Sequence, residues 1–69
     1  MKMRLMYKHL QLVQAGKFAV ARGILQLLTD GVITLYFDDI SMEIEEVLEK
    51  YNVKSSTNRR GIITFRWKS

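Results

Sequence analysis

Val53-Lys54-Ser55-Ser56-Thr57-Asn58-Arg59-Arg60-Gly61-Ile62-Ile63-Thr64-Phe65-Arg66-Trp67 reads as a β-hairpin. Asn58 suits the first position of a type I turn, and Gly61 suits the left-handed bulge position that follows. Along the second strand, Ile63, Phe65 and Trp67 share one face while Ile62, Thr64 and Arg66 share the other. The first strand, Val53 to Thr57, is short and polar. Upstream, Val32-Ile33-Thr34-Leu35-Tyr36-Phe37 is β-branched and aromatic and forms the clearest strand of the chain. Its Ile33, Leu35 and Phe37 face is uniformly apolar and is expected to meet helices. Val32, Thr34 and Tyr36 make the other face.

Between these strands, Ser41 is expected to N-cap a helix over residues 42–51, with Ile44, Val47, Leu48 and Tyr51 as its apolar stripe. Glu43, Glu45 and Glu46 then fall in the first turns, where the helix dipole favours them, and Glu46 pairs with Lys50 at i,i+4. Asn52 is expected to close the helix in the left-handed conformation. Residues 4–29 also read as helix. Arg4, Lys8, Gln11, Ala15, Arg22, Gln26 and Thr29 follow its polar face, and Met6, Val13, Val20, Ile24 and Leu27 its apolar face. That phase runs through Gly16 and is compatible with one long helix. Two helices joined at Gly16-Lys17 are favoured, because Lys17 would otherwise land near the apolar face and Gly16 is a good C-cap for a helix ending at Ala15. Asp30-Gly31 ends the helical pattern. The expected fold is α+β: one small domain over residues 1–69, order α(α)βαββ. Its two- to three-stranded, mainly antiparallel sheet carries the C-terminal hairpin against the helices.

A chain of 69 residues buries only about 60% of its unfolded surface. No cysteine is present and His9 is the only histidine, which removes disulfides and the usual structural zinc sites. No cofactor or metal is expected. With 48% hydrophobic residues, some apolar surface must stay outside, so a homodimer or larger assembly is expected. The longest apolar stretches, Ile24 to Leu28 and Val32 to Phe37, fall far short of the roughly 20 residues that span a bilayer. The expectation is a soluble protein of the reducing cytoplasm, with no membrane contact and no small-molecule substrate.

The charges are sorted along the chain. All seven carboxylates lie between Asp30 and Glu49, with no basic residue among them, giving successive blocks of +5, −7 and +6. Blocks of one sign can present faces that select partners. In the last block, Lys54, Arg59, Arg60, Arg66 and Lys68 lie on or near the hairpin, and these are the candidate nucleic-acid contacts. Trp67 and Phe65 lie among them, but they share a face with Ile63 and read as core rather than as a platform for bases.

A helix ahead of a basic hairpin is similar to the wing of a winged-helix domain. The similarity stops at the preceding helix, whose Glu43, Glu45, Glu46 and Glu49 would be repelled by phosphates, so backbone contact is expected rather than major-groove readout. Asp38, Asp39, Glu45, Glu46 and Glu49 form a second candidate surface, for a protein partner. Asp38, Asp39 and Glu43 would also suit Mg²⁺, but carboxylates gather at helix N-termini for dipole reasons alone. His9 has no neighbouring acid to orient it as a base, and no phosphate-binding glycine loop occurs. The expected function is a non-enzymatic binding module of regulatory or accessory type, contacting nucleic-acid backbone. The alternative is a protein-binding modulator or inhibitor, of the kind encoded by phages or mobile elements, acting through residues 38–49 and exposed apolar surface. A metal-dependent phosphoryl-transfer enzyme is the remote third reading.

Overall fold

The N-terminal helical stretch divides at Gly16. In the computed structural model, which describes residues 2–68, α1 spans Lys2–Gln14 and α2 spans Phe18–Asp30. The expected domain limits at residues 1 and 69 lie outside the described residues. Gly16 has φ 79°, and the N–H groups of Gly16 and Lys17 donate to the carbonyls of Val13 and Leu12 at 3.0 and 2.9 Å. This crossed pair is a Schellman motif, and a side chain at Gly16 would strain it.

The break moves the buried face of α1. A continuous helix would turn Met6 and Val13 inward, but Leu5 and Leu12 are buried instead and Met6 and Val13 are exposed. The reason is geometric: α1 folds back on α2 as an αα-hairpin, so the two helices do not share one phase. His9 Nδ1–H donates to the Ala21 carbonyl at 2.8 Å and fastens the pair. A carbonyl can only accept, so that nitrogen carries the proton.

β1 spans Val32–Tyr36, one residue shorter than expected. Phe37 is half exposed rather than inward-facing. Its N–H still donates to the Gly61 carbonyl at 2.7 Å, but the chain is already turning into the next helix. That helix, α3, spans Asp39–Leu48 and is N-capped by Asp38, not Ser41. Asp38 Oδ1 accepts the Ser41 N–H at 2.8 Å, and Ser41 Oγ accepts the Asp38 N–H at 2.8 Å while donating to the Asp38 carbonyl at 2.9 Å. Ser41 is thus the buried third residue of a capping box.

The earlier start leaves Asp39 alone in the acidic first turn, with Glu43, Glu45 and Glu46 beyond it. α3 also ends early, at a right-handed Glu49, and Asn52 does not adopt positive φ. Lys50 therefore lies past the helix, and the expected Glu46–Lys50 pair does not form. The one ion pair among the described residues joins Lys17 to Glu43 at 2.9 Å. Both side chains are substantially exposed, so it contributes at most about 1 kcal/mol.

β2 (Val53–Thr57) and β3 (Ile62–Trp67) match their expected limits. The turn forms as its residues require: Gly61 has φ 78°, and Asn58 Oδ1 accepts the N–H groups of Arg60 and Ile62 at 2.9 and 3.0 Å. The sheet is antiparallel with order β1-β3-β2. Ile33, Ile63 and Phe65 are buried in one cluster with Leu5, Leu12, Val20, Ala21, Ile24, Leu27, Ile44 and Leu48. Trp67 Nε1–H donates to the Leu27 carbonyl at 3.3 Å, tying β3 to the end of α2. No helix among the described residues is long and apolar enough to cross a membrane.

Gly23, inside α2, lies where Ile44 of α3 approaches the helix backbone. A Cβ built there would lie 2.6 Å from Ile44 Cδ1. Gly23→Ala should gain about 1 kcal/mol in helix propensity but lose roughly 1–3 kcal/mol to overpacking, for a net destabilisation. Ile44→Val removes the clashing methyl. Urea denaturation of both single variants and the double variant should show that Ile44→Val costs much less in the Gly23→Ala background than in the native one.

Candidate nucleic-acid interface

Alternation along three strands gives the sheet two unlike faces. One is buried under the helices. The other carries Val32, Thr34 and Tyr36 from β1, Ile62, Thr64 and Arg66 from β3, and Lys54 and Ser56 from β2. Five of these are exposed and the other three only partly covered, so no described element shields this face.

The register orders it into rows. Arg66 lies between Val32 and Lys54 in the first row. Thr64 lies between Thr34 and Ser56 in the second. Tyr36 stands beside Ile62 in the third, next to the hairpin turn. Rows are about 7 Å apart, since each is two residues further along a strand. The Thr34 and Thr64 hydroxyls meet across the strands at 3.5 Å. Arg59 and Arg60 project from the turn at the tyrosine end, while Lys68 follows β3 at the lysine–arginine end.

All five candidate contacts, Lys54, Arg59, Arg60, Arg66 and Lys68, are exposed, and none is ion-paired among the described residues. Lys54 and Arg66 are direct cross-strand partners. Like charges placed directly opposite destabilise a sheet, and no described carboxylate makes an ion pair with either side chain. The arrangement can hold an anion at each end of an uncharged hydroxyl row.

Tyr36 was legible only as a member of the strand's second face. It is 74% exposed, the most exposed aromatic residue of the sheet. The aromatic residues that lie among the hairpin cations in sequence behave otherwise. Phe65 is buried, and Trp67 is partly buried against α2, as their shared face with Ile63 requires. An open tyrosine beside an arginine-bearing turn is the one aromatic platform on this face.

The acidic candidates divide between two sides of α3: Asp39 and Glu46 share a depression with Ile40, Met42 and Glu43, while Glu45 and Glu49 lie elsewhere. The Asp38 carboxylate is committed to the cap of α3, and Asp39 lies in the first turn. Glu46 lines a shallow depression with Lys8, Val47, Lys50 and Tyr51. Glu45 and Glu49 line another with Val53, Ser55 and Phe65, beside the β2 edge. The 100° helical step explains the split, since residues 45 and 49 share one side and residue 46 lies on another. Among the described residues no three His, Asp or Glu side chains converge on a metal-sized site. Of the three carboxylates weighed for Mg²⁺, Asp38 accepts the Ser41 N–H and Glu43 is paired with Lys17, while Asp39 lies in the first turn of α3.

No protein family, curated protein or solved structure matches this chain. The Lys54–Arg66 pair supplies a direct test of whether the open face is tuned for an external anion. Lys54→Glu turns a repulsive pair into an attractive one and should raise stability by about 0.2–1 kcal/mol in urea denaturation. Anion binding by the same variant should fall. A stability loss instead would show that the two side chains already escape one another.

Proposed function

We propose that this protein is a non-enzymatic binding module that contacts nucleic-acid backbone through its C-terminal hairpin and the open sheet face. The observation that carries the reading is the set of five exposed, unpaired cations on one hairpin and its flank, with Lys54 and Arg66 forced opposite each other. Phosphates would supply the counter-charge that the described chain withholds. Arg59 and Arg60 at the turn and Lys54, Arg66 and Lys68 at the far end would grip phosphates on either side of the threonine row. Tyr36 gives a base a face to stack on, which a single strand can use and a duplex cannot. The protein would act in a regulatory or accessory capacity, without sequence readout, because the helix ahead of the hairpin carries Glu43, Glu45, Glu46 and Glu49, which phosphates would repel.

A second reading, a protein-binding modulator acting through residues 38–49, is favoured by one feature. A depression of ≈ 410 Å³ is lined by Thr34, Leu35, Tyr36, Asp38, Ile40 and Ile62, where the end of β1 meets the start of α3. Asp39, Glu43 and Glu46 line a neighbouring depression with Ile40 and Met42, but Glu45 and Glu49 lie on another side of α3, which makes this the weaker reading.

Fluorescence anisotropy with random single-stranded and duplex oligonucleotides at several salt concentrations separates the two. The native protein should bind with strong salt dependence. Arg59→Ala with Arg60→Ala should weaken binding to every sequence alike and reduce the slope of log affinity against log salt by about 2 on duplex DNA. Tyr36→Ala should cost about 1–3 kcal/mol on single strands and little on duplex. Absence of salt-sensitive binding by the native protein at tens of micromolar would end the nucleic-acid reading. A partner complex lost on Glu46→Lys would then favour the second.

A further inference from the structure

The face of α1 opposite the core is apolar. Leu5 and Leu12 are buried, while Met3, Met6, Tyr7, Leu10 and Val13 are 87, 43, 69, 52 and 38% exposed. Met3, Met6, Leu10 and Val13 follow spacings of three, four and three, which is the a/d seam of a coiled coil, and Tyr7 flanks it. A helix with apolar residues on two opposite faces is built for two packing partners. Among the described elements α2 packs most extensively on α1, and the outer stripe stays exposed.

We infer that the outer stripe of α1 is the interface of an antiparallel homodimer. Three observations select a second copy of this chain. First, the stripe is self-complementary. When two copies run antiparallel about a twofold axis between Tyr7 and His9, Met3 meets Val13 and Met6 meets Leu10, so every seam residue finds an apolar mate. Second, the charges favour that direction. α1 has no acidic residue in its first turn, and its basic Arg4 lies at the end where the helix dipole is already positive. An antiparallel copy lays its negative C-terminal end beside that turn, whereas a parallel copy would bring two basic N-termini together. Third, the area suffices. Complete coverage of the five exposed side chains would bury on the order of 1,000 Å² across the pair, about where specific interfaces begin. The self-association expected from the apolar fraction is thereby assigned to one helix, and it does not depend on what the open sheet face binds.

Sedimentation equilibrium of the full chain across micromolar to hundreds of micromolar should show a reversible rise from 8.1 kDa to twice that mass. Met6→Asp with Leu10→Asp changes only exposed positions. It should leave circular dichroism and thermal unfolding of the monomer in place while the mass stays at 8.1 kDa throughout. The absence of native cysteine makes direction measurable. A mixture of Met3→Cys and Val13→Cys chains should oxidise mainly to the mixed disulfide. A native chain that stays monomeric throughout overturns the proposal. So does a dimer that survives the double aspartate variant, or a predominance of Met3→Cys homodimers, which would mean parallel pairing. Binding of the monomer to liposomes of anionic lipid, lost in the double variant, would overturn it in favour of a membrane surface.

Discussion

The absence of a side chain at Gly23 lets Ile44 press against the backbone of α2, and the rest of the domain depends on that approach. α2 is the one helix that touches α1, α3 and β1 together. Its Val20, Ala21, Ile24 and Leu27 are buried in the cluster that also holds residues of α1, α3 and the sheet, so it must lie close to each neighbour. Ile33 Cδ1 also lies 3.9 Å from where a Gly23 Cβ would be, which brings helix, helix and strand to one point. In so short a chain a single central helix has to serve as the core for everything else.

That economy determines what remains outside. Eleven hydrophobic residues are buried among those described, while Met3, Tyr7, Leu10, Phe18, Tyr36 and Phe37 are more than half exposed. Three short helices can cover one face of a three-stranded sheet but not both, so the second face stays open and mostly polar. α1 in turn packs mainly against α2 among the described elements, and its outer stripe stays bare. The two surfaces are consequences of one limit. There is not enough chain to bury both sides of either layer.

What could be read from sequence follows how local each determinant is. The hairpin was legible to the residue, because Asn58 and Gly61 specify the turn and alternation does the rest. The break at Gly16 was legible for the same reason. The buried face of α1 was not, since Met6 and Val13 are inward only if the helix continues in phase, and a turn at residues 15–17 cancels that phase. The start of α3 was missed because Asp38 and Ser41 are both good caps, three residues apart. Either can lead, and the capping box uses the serine in the supporting role that Glu or Gln more often fills. Phe37 looked inward by alternation, but a strand that must stop to form that cap cannot continue its pattern. The five hairpin cations were found from charge alone, while Tyr36 required knowing which sheet face lacks a cover.

The two proposed surfaces share no residue, one lying on α1 and the other on the three strands. If both hold, pairing through α1 leaves each hairpin free and joins two weak backbone grips in one particle. Non-specific contacts by a few cations give dissociation constants of about 10⁻⁴ to 10⁻⁶ M at physiological salt. A second grip on the same strand acts at a high effective concentration, provided the separation of the two sheet faces can be spanned by the ligand. A monomeric α1 variant should then bind short oligonucleotides as the native protein does and lose affinity only on long ones. Equal loss on both lengths would mean that the seam contributes to the binding surface itself, and that the division between the two faces is not functional. Anisotropy titrations of the double aspartate variant against a length series would decide between these outcomes.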